Sequence, residues 1–351
     1  MDKVIVFFLI IVAVVGIYLG LTTGGQSLGL LGDSSPLFAS ASAMVETDWT
    51  ESVGEFLISF DNFKNFHRAI LEPNLSIKVF DMDGVFPGNL IYAATDRGLF
   101  LSRDGGLTWD HFISSNNEIN SGSIVFRVIP ASASGEDYFI SVFKDNRGVV
   151  YRTYDYFFHL EKLMDFDDEA AYDLYRSGNY LYLAISNGQL IRFNLETKEA
   201  KVVNAFSSPV VKIYRSINGY FFLLFKSGTV ARSADLEGEF KKINLPGGTL
   251  FSSPGAKRLD LDQVGNLYLL NRDGLFVSHD DGKSFVPFKH LPVQEKKLDA
   301  FAAYGRKIYV VVKNKIYTSS DGGENWKIDD LPNQFQVSSF YFAGERVILS
   351  R

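Results

Sequence analysis

The sequence predicts an all-β protein: a seven-bladed β-propeller with split-blade closure over residues 48–351, preceded by one N-terminal transmembrane helix. Three observations predict it. A short turn signature recurs at the spacing of one four-stranded blade, an aromatic-rich strand stands before most copies, and each end of the region supplies half of one blade.

Length and composition permit this architecture. All-β assemblies often exceed the usual ~100–200 residues of a domain, and the 351-residue chain is 46% hydrophobic and 15% aromatic. Aromatic side chains suit the half-buried, pleated surface of strands. The formal net charge of −6 argues against nucleic acid as a partner, because phosphate-tracking surfaces concentrate basic residues. With no cysteine in the chain, disulfides, thiolate metal ligands and a cysteine nucleophile are excluded.

The first element is a membrane anchor, residues 1–21. Val4 to Leu21 is apolar apart from Gly16, Tyr18 and Gly20, which just reaches the roughly 20 residues needed to cross a bilayer as a helix. Lys3 precedes the run, and no Lys or Arg follows until Lys64, while Asp33, Glu46, Asp48, Glu51 and Glu55 lie between. The positive-inside rule then places the N-terminus in the cytoplasm and the propeller outside the cytoplasmic membrane. A cleaved signal peptide is the competing reading. Its small-residue triplets, Ala39-Ser40-Ala41 and Ala41-Ser42-Ala43, lie well beyond the apolar run. Residues 22–47, rich in Gly, Ser and Ala, read as a flexible linker.

The repeat organises everything that follows. Ser102-Arg103-Asp104-Gly105-Gly106-Leu107-Thr108-Trp109, Ser278-His279-Asp280-Asp281-Gly282-Lys283-Ser284-Phe285 and Ser319-Ser320-Asp321-Gly322-Gly323-Glu324-Asn325-Trp326 share one pattern. Each has Ser, then Asp, Gly, a small polar residue and an aromatic at fixed offsets. An Asp in a tight turn accepts backbone N–H bonds, Gly supplies a positive φ, and the aromatic re-enters the next strand to pack beneath. Weaker copies are Ser59-Phe60-Asp61 ending in Phe66, Thr153-Tyr154-Asp155 ending in Leu160, and Ser233-Ala234-Asp235 ending in Phe240. Arg192-Phe193-Asn194 keeps only the turn. The Asp or Asn positions 61, 104, 155, 194, 235, 280 and 321 are spaced as propeller blades are.

Strands precede the turns, as Tyr180-Leu181-Tyr182-Leu183-Ala184 and Lys307-Ile308-Tyr309-Val310-Val311 do. The first copy has one strand before it, residues 54–58, and Arg346-Val347-Ile348-Leu349-Ser350 supplies the strand that should precede that one. Pairing the two ends gives six continuous blades and one split blade, and the ring closes without an open edge.

The three strong segments resemble the Asp box, or BNR repeat, of sialidase-like and sortilin-like propellers. Residues 49–351 are similar to photosystem II assembly and stability factor-like propellers and to the sortilin N-terminal propeller. The resemblance implies a rigid display surface, and it is shared by hydrolases, receptors and assembly factors. The expected function is a membrane-tethered extracytoplasmic scaffold that binds a protein or peptide and assists assembly of a membrane or envelope complex. The alternative is a glycan-active propeller, either a sialidase-like hydrolase or a lectin.

Glycan hydrolysis of that kind needs an arginine clamp, a proton-transfer carboxyl and a nucleophile pair. Phe126-Arg127-Val128-Ile129-Pro130 is similar to the Phe-Arg-Ile-Pro signature of sialidases, but it carries an inserted residue and follows a complete box. No spaced triad assembles from Arg127, Arg152, Arg192, Arg232 and Arg258. Arg127 is therefore expected to be a solvated strand residue before a turn proline, and no catalytic residue, cofactor or metal is assigned. Asp165-Phe166-Asp167-Asp168-Glu169 lacks the Gly and the alternation of a calcium loop and reads as a solvated inter-blade loop. Asp61, Asp104, Trp109, Asp155, Asp235, Asp280, Phe285, Asp321 and Trp326 are structural box residues in this reading. Tyr154, Tyr156, Phe157 and Phe158 place aromatics where other copies carry Gly or polar residues, which makes them the candidate partner surface.

Overall fold

The computed structural model describes residues 55–350 apart from 73–74, 85–89, 132–136, 156, 248–254, 290, 292, 294–297, 333–334, 338 and 344–345. The anchor and linker expected over residues 1–47 lie outside the described residues. Among the described residues, no helix is long and apolar enough to cross a membrane.

Seven four-stranded antiparallel sheets make up the fold. Blades I (79–112), II (124–167), III (171–205), IV (210–242), V (258–287) and VI (300–330) each run in sequence order. Blade VII is split. Its outer strands are β1 (Glu55–Ser59) and β2 (His67–Ile70), and its inner strands are β27 (Ser339–Ala343) and β28 (Arg346–Ser350). The junction aligns Phe56 with Ser350, Leu57 with Leu349, Ile58 with Ile348 and Ser59 with Val347. The expected closure is therefore the observed one.

Burial explains the strand patterns. Phe221-Phe222-Leu223-Leu224-Phe225, the second strand of blade IV, is buried throughout, because both of its faces meet neighbouring blades and an unbroken apolar run suits that position. Ala200–Ala205, the outermost strand of blade III, is largely exposed. The core lies between blades. Leu57, Phe63, Tyr309, Phe340 and Leu349 join blades VI and VII, and Tyr92, Leu101, Tyr138 and Phe157 join blades I and II.

The first strand of each blade runs along the axis: β3 (Val79–Gly84), β7 (Ile124–Pro130), β11 (Ala171–Ser177), β15 (Val210–Arg215), β19 (Arg258–Leu261), β23 (Ala300–Tyr304) and β27. Neighbours touch around the ring, as β27 with β3, β3 with β7 and β7 with β11. Four of these strands slip register at the same place, between Val79 and Asp81, Val125 and Arg127, Ala171 and Asp173, and Val210 and Lys212. A bulge bends the strand and re-aims the next side chain. The extra residues Phe80, Phe126, Tyr172 and Val211 are buried. The rings of Phe80, Phe126 and Tyr172 pack in series, each 5.2 Å from the next.

Candidate functional site

The recurring turns join the third and fourth strands of their blades. In blade I the Ser102 hydroxyl donates to Asp104 (2.8 Å) and accepts the Gly106 N–H (2.7 Å). Asp104 accepts the Thr108 N–H at 2.9 Å and its hydroxyl at 2.6 Å. The same clasp forms around Asp61, Asp155, Asp280 and Asp321. Against some desolvation, hydrogen bonds from Ser284 and Ser278 hold the Asp280 carboxyl at about 2. The backbone and side chain of Asn325, with Ser319, hold Asp321 at about 2 as well. Trp109 donates its indole N–H to the Gly106 carbonyl (2.9 Å) and lies 5.8 Å from Phe56 of blade VII. Phe285 and Trp326 are half-buried, and Trp326 packs on the core between blades V and VI.

Two copies depart from this geometry. Among the described residues, the Asp235 carboxylate, expected in the same register, accepts only the near N–H of Glu237 (3.1 Å), while Ser233 accepts the Asp235 N–H (3.2 Å). Leu236 turns inward and is buried. Glu237 is drawn to Arg192 (2.8 Å) and Tyr182 (3.1 Å) of blade III, which reshapes the turn. Asn194 accepts the N–H groups of Glu196 and Thr197 in a simple turn.

The clasp tolerates a second residue type at its glycine. Phe63 and Phe157 stand where Gly106 stands and keep its left-handed backbone, with φ of 69° and 75° against 99°. A Cβ on Gly106 would lie 2.6 Å from the Ile58 side chain, so in blade I an aliphatic group of blade VII fills that space. In blade II the Phe157 ring itself fills the space, stacked on Tyr138 at 4.7 Å and 5.8 Å from Phe112.

This corrects the proposed aromatic surface. Phe157 is 1% exposed and belongs to the core, because the positive φ swings its side chain inward. Phe158 is 66% exposed. Tyr154 is also exposed, with Arg152 over its ring at 4.2 Å and its hydroxyl bonded to Glu161. Tyr156 lies outside the described residues. The acidic run is also corrected: Asp165 and Asp167 sit on the outer strand Glu161–Asp167, facing Arg147 and Lys162.

The largest correction lies in the channel. Arg127 is not a solvated strand residue. It bridges Asp81 of blade I (2.5 Å) and Asp173 of blade III (2.9 Å), because its bulge aims it along the ring. The two carboxylates raise its pKa further against burial. Each acid also clips onto the following first strand: Asp81 accepts the Val128 N–H (3.3 Å), and Asp173 the Ile213 N–H (2.7 Å). Asp260 accepts the Ala303 N–H (3.0 Å) and pairs with Arg258 (3.0 Å). Asp81, Arg127, Asp173, Lys212 and Asp260 thus form a belt of alternating sign over five blades, while blade VI offers Ala302.

Asp83 stands apart from this pairing. Burial is the main cause that raises its carboxyl to about 6, with Asp81 adding to it and Arg127 and Lys212 opposing. Among the described residues, no three His, Asp or Glu side chains group to hold a metal ion.

No protein-family model matches the chain, and no curated protein matches its sequence. Solved structures share its fold. A structure described as YCF48 bound to D1 peptide is 13% identical with a TM-score of 0.57, covering 78% of this chain and 92% of that one. YCF48 from Cyanidioschyzon merolae is 15% identical with a TM-score of 0.55, covering 80% and 97%. The extracellular domain of the one-component system BT4673 from B. thetaiotaomicron is 15% identical with a TM-score of 0.56, covering 83% of this chain and 40% of that one. At these identities the likeness establishes the architecture: a seven-bladed β-propeller.

Proposed function

We propose that this chain is an extracytoplasmic interaction scaffold, tethered to the cytoplasmic membrane by residues 1–21, that binds a protein or peptide during assembly of a membrane or envelope complex. The observation that carries this reading is the state of the channel. Arg127 and Arg258, the cations best placed to clamp a sugar carboxylate, are held by Asp81, Asp173 and Asp260. An arginine whose charge is already shared between two acids is a poor clamp for a substrate carboxylate. What the ring offers instead is a rigid surface with exposed apolar tips, and a propeller of similar fold has been captured with a peptide. The Asp-box resemblance and the sortilin-like and assembly-factor-like propellers fit the same reading, and the apolar run Val4 to Leu21 supports the tether.

The glycan-active alternative rests on Asp83, a carboxyl raised to about 6 beside Asp81, as a proton-transfer group would be.

The test is affinity capture with the full chain in detergent, run beside a glycan array. Stoichiometric capture of one envelope or membrane protein with a blank array supports the scaffold. A sugar hit without a protein partner reverses the ranking. Protease added to intact and to permeabilised cells checks the tether, since an outward propeller is digested in both.

A further inference from the structure

The first hairpins of blades IV, V and VI each carry one apolar side chain out at the tip. Ile217 is 68% exposed, Val264 60% and Tyr304 44%. Exposed apolar residues scattered singly need no explanation. These three are contiguous. The Ile217 side chain reaches within 3.1 Å of where a Cβ on Gly265 would sit, so it lies against the Val264 turn. The Gln263 N–H donates to the Gly305 carbonyl (2.9 Å), which joins that turn to the next. Tyr304 then stacks on Phe342 of blade VII, 4.3 Å apart and 4° from parallel. The result is an apolar arc around one mouth of the channel.

The arc is held in shape. Asp262 accepts the Val264 and Asn266 N–H groups at 3.0 and 2.8 Å and the Asn266 amide at 2.7 Å. Asn218, beside Ile217, is tied to Asp281 at 3.0 Å. Side chains fixed before binding lose little conformational freedom on binding.

One step further around, blade I brings Asp83 to the same mouth, where its charge is felt by Tyr304 and Tyr92. Among the described residues, its carboxylate accepts only the N–H of Gly84 (2.7 Å) and has no ion pair. The groups facing it are Asp81 on β3, Tyr92 in the next strand, Arg127 on β7, Lys212 on β15 and Tyr304 on β23. Arg127 is already engaged by Asp81 and Asp173. Lys212 offsets the burial in part without forming an ion pair, so an anion in this state is left short of the counter-charge that a half-buried carboxylate needs.

We propose that this arc docks an extended peptide segment whose apolar side chains cover Ile217, Val264 and the Tyr304–Phe342 pair and whose Lys or Arg pairs with Asp83. The proposal deepens the scaffold reading and rests on it. Charge complementarity selects the occupant: apolar tips ending in a carboxylate that has no ion pair among the described residues and that Lys212 compensates only in part fit a basic, hydrophobic segment better than an acidic one. Because Asp83 is held at about 6, the free carboxylate is present above that pH and lost below it, so the segment binds more weakly in acid.

The experiment selects a random dodecapeptide phage library against the full chain in nanodiscs and then measures the affinity of the enriched peptide. The proposal expects enriched sequences to combine Lys or Arg with apolar residues. Affinity should fall about tenfold from pH 7.5 to 5 and about tenfold at pH 7.5 with Asp83→Asn, whose binding no longer depends on pH. Ile217→Ser and Val264→Ser, at exposed positions that the fold does not need, should weaken binding at both pH values. Enrichment of acidic peptides overturns the proposal, as does binding that ignores Asp83→Asn and both arc variants. If the arc variants leave capture of the envelope partner intact, the scaffold stands and the arc falls. If no peptide is enriched and no partner is captured, both fall.

Discussion

The guanidinium of Arg127 on blade II lies 2.9 Å from the carboxylate of Asp173 on blade III, a group that is shut off from water. Its other arm holds Asp81, so one side chain joins three blades. Removing one partner of a buried pair leaves charge without compensation. Arg127→Met should lower stability by about 3–5 kcal/mol, read as a shift in the urea midpoint. A loss under about 1 kcal/mol would mean that water reaches these acids.

Phe157 makes a sharper test of the turn geometry. Phe157→Ala removes the ring and keeps a Cβ at positive φ, and should cost about 3–5 kcal/mol. Phe157→Gly removes more atoms yet relieves the backbone, so it should be less damaging than Phe157→Ala by about 1 kcal/mol. The same order is expected at Phe63. If Ala proves milder than Gly, the left-handed backbone is not what the turn requires.

Acid should weaken the clasps in a defined window. Asp280 and Asp321 titrate at about 2 in the fold against an ordinary 3.8. A depressed carboxyl contributes stability that is complete above its unfolded pKa and is lost as pH falls through the folded one. Melting temperature should therefore drop between about pH 4 and 2, and Asp280→Asn with Asp321→Asn should flatten that limb. An unchanged slope in the double variant would refute the assignment.

Asp83 has the opposite sign. Its carboxyl is raised from 3.8 to about 6, so ionisation in the fold is unfavourable and stability falls as pH rises from 4 through 6. Asp83→Asn should gain about 1–2 kcal/mol at pH 7.5, discounted for its partial exposure, and nothing at pH 4. Denaturation at the two pH values decides it. A variant less stable at both would show that the carboxylate is a structural group.

The ring was legible because its signals are local. The Ser102 to Trp109 turn makes its bonds within eight residues, so offsets along the chain report geometry directly. The Phe63 and Phe157 turns kept Asp but lost Gly, so their sequence copies are weak, and that a Phe takes the left-handed place of the glycine shows only once the backbone is seen. The belt was hidden for another reason. Asp81, Arg127 and Asp173 each look like ordinary polar strand residues, and only closure of the ring and the bulges before them bring them together. A signal existed: each follows a buried apolar pair, Val79-Phe80, Val125-Phe126 and Ala171-Tyr172. Ile217, Val264 and Tyr304 carried no sequence signal, because adjacency between hairpin tips is a property of the ring.

The split blade also sets an order of events during synthesis. β1 is made early, yet its inner neighbour β28 emerges some 290 residues later. Until then β1 presents an unpaired edge, and blades I to VI have nothing to close against. An edge left waiting invites a strand from another molecule. Two nascent chains held close together would exchange these strands, and the product would be a swapped pair with the same seven-bladed rings.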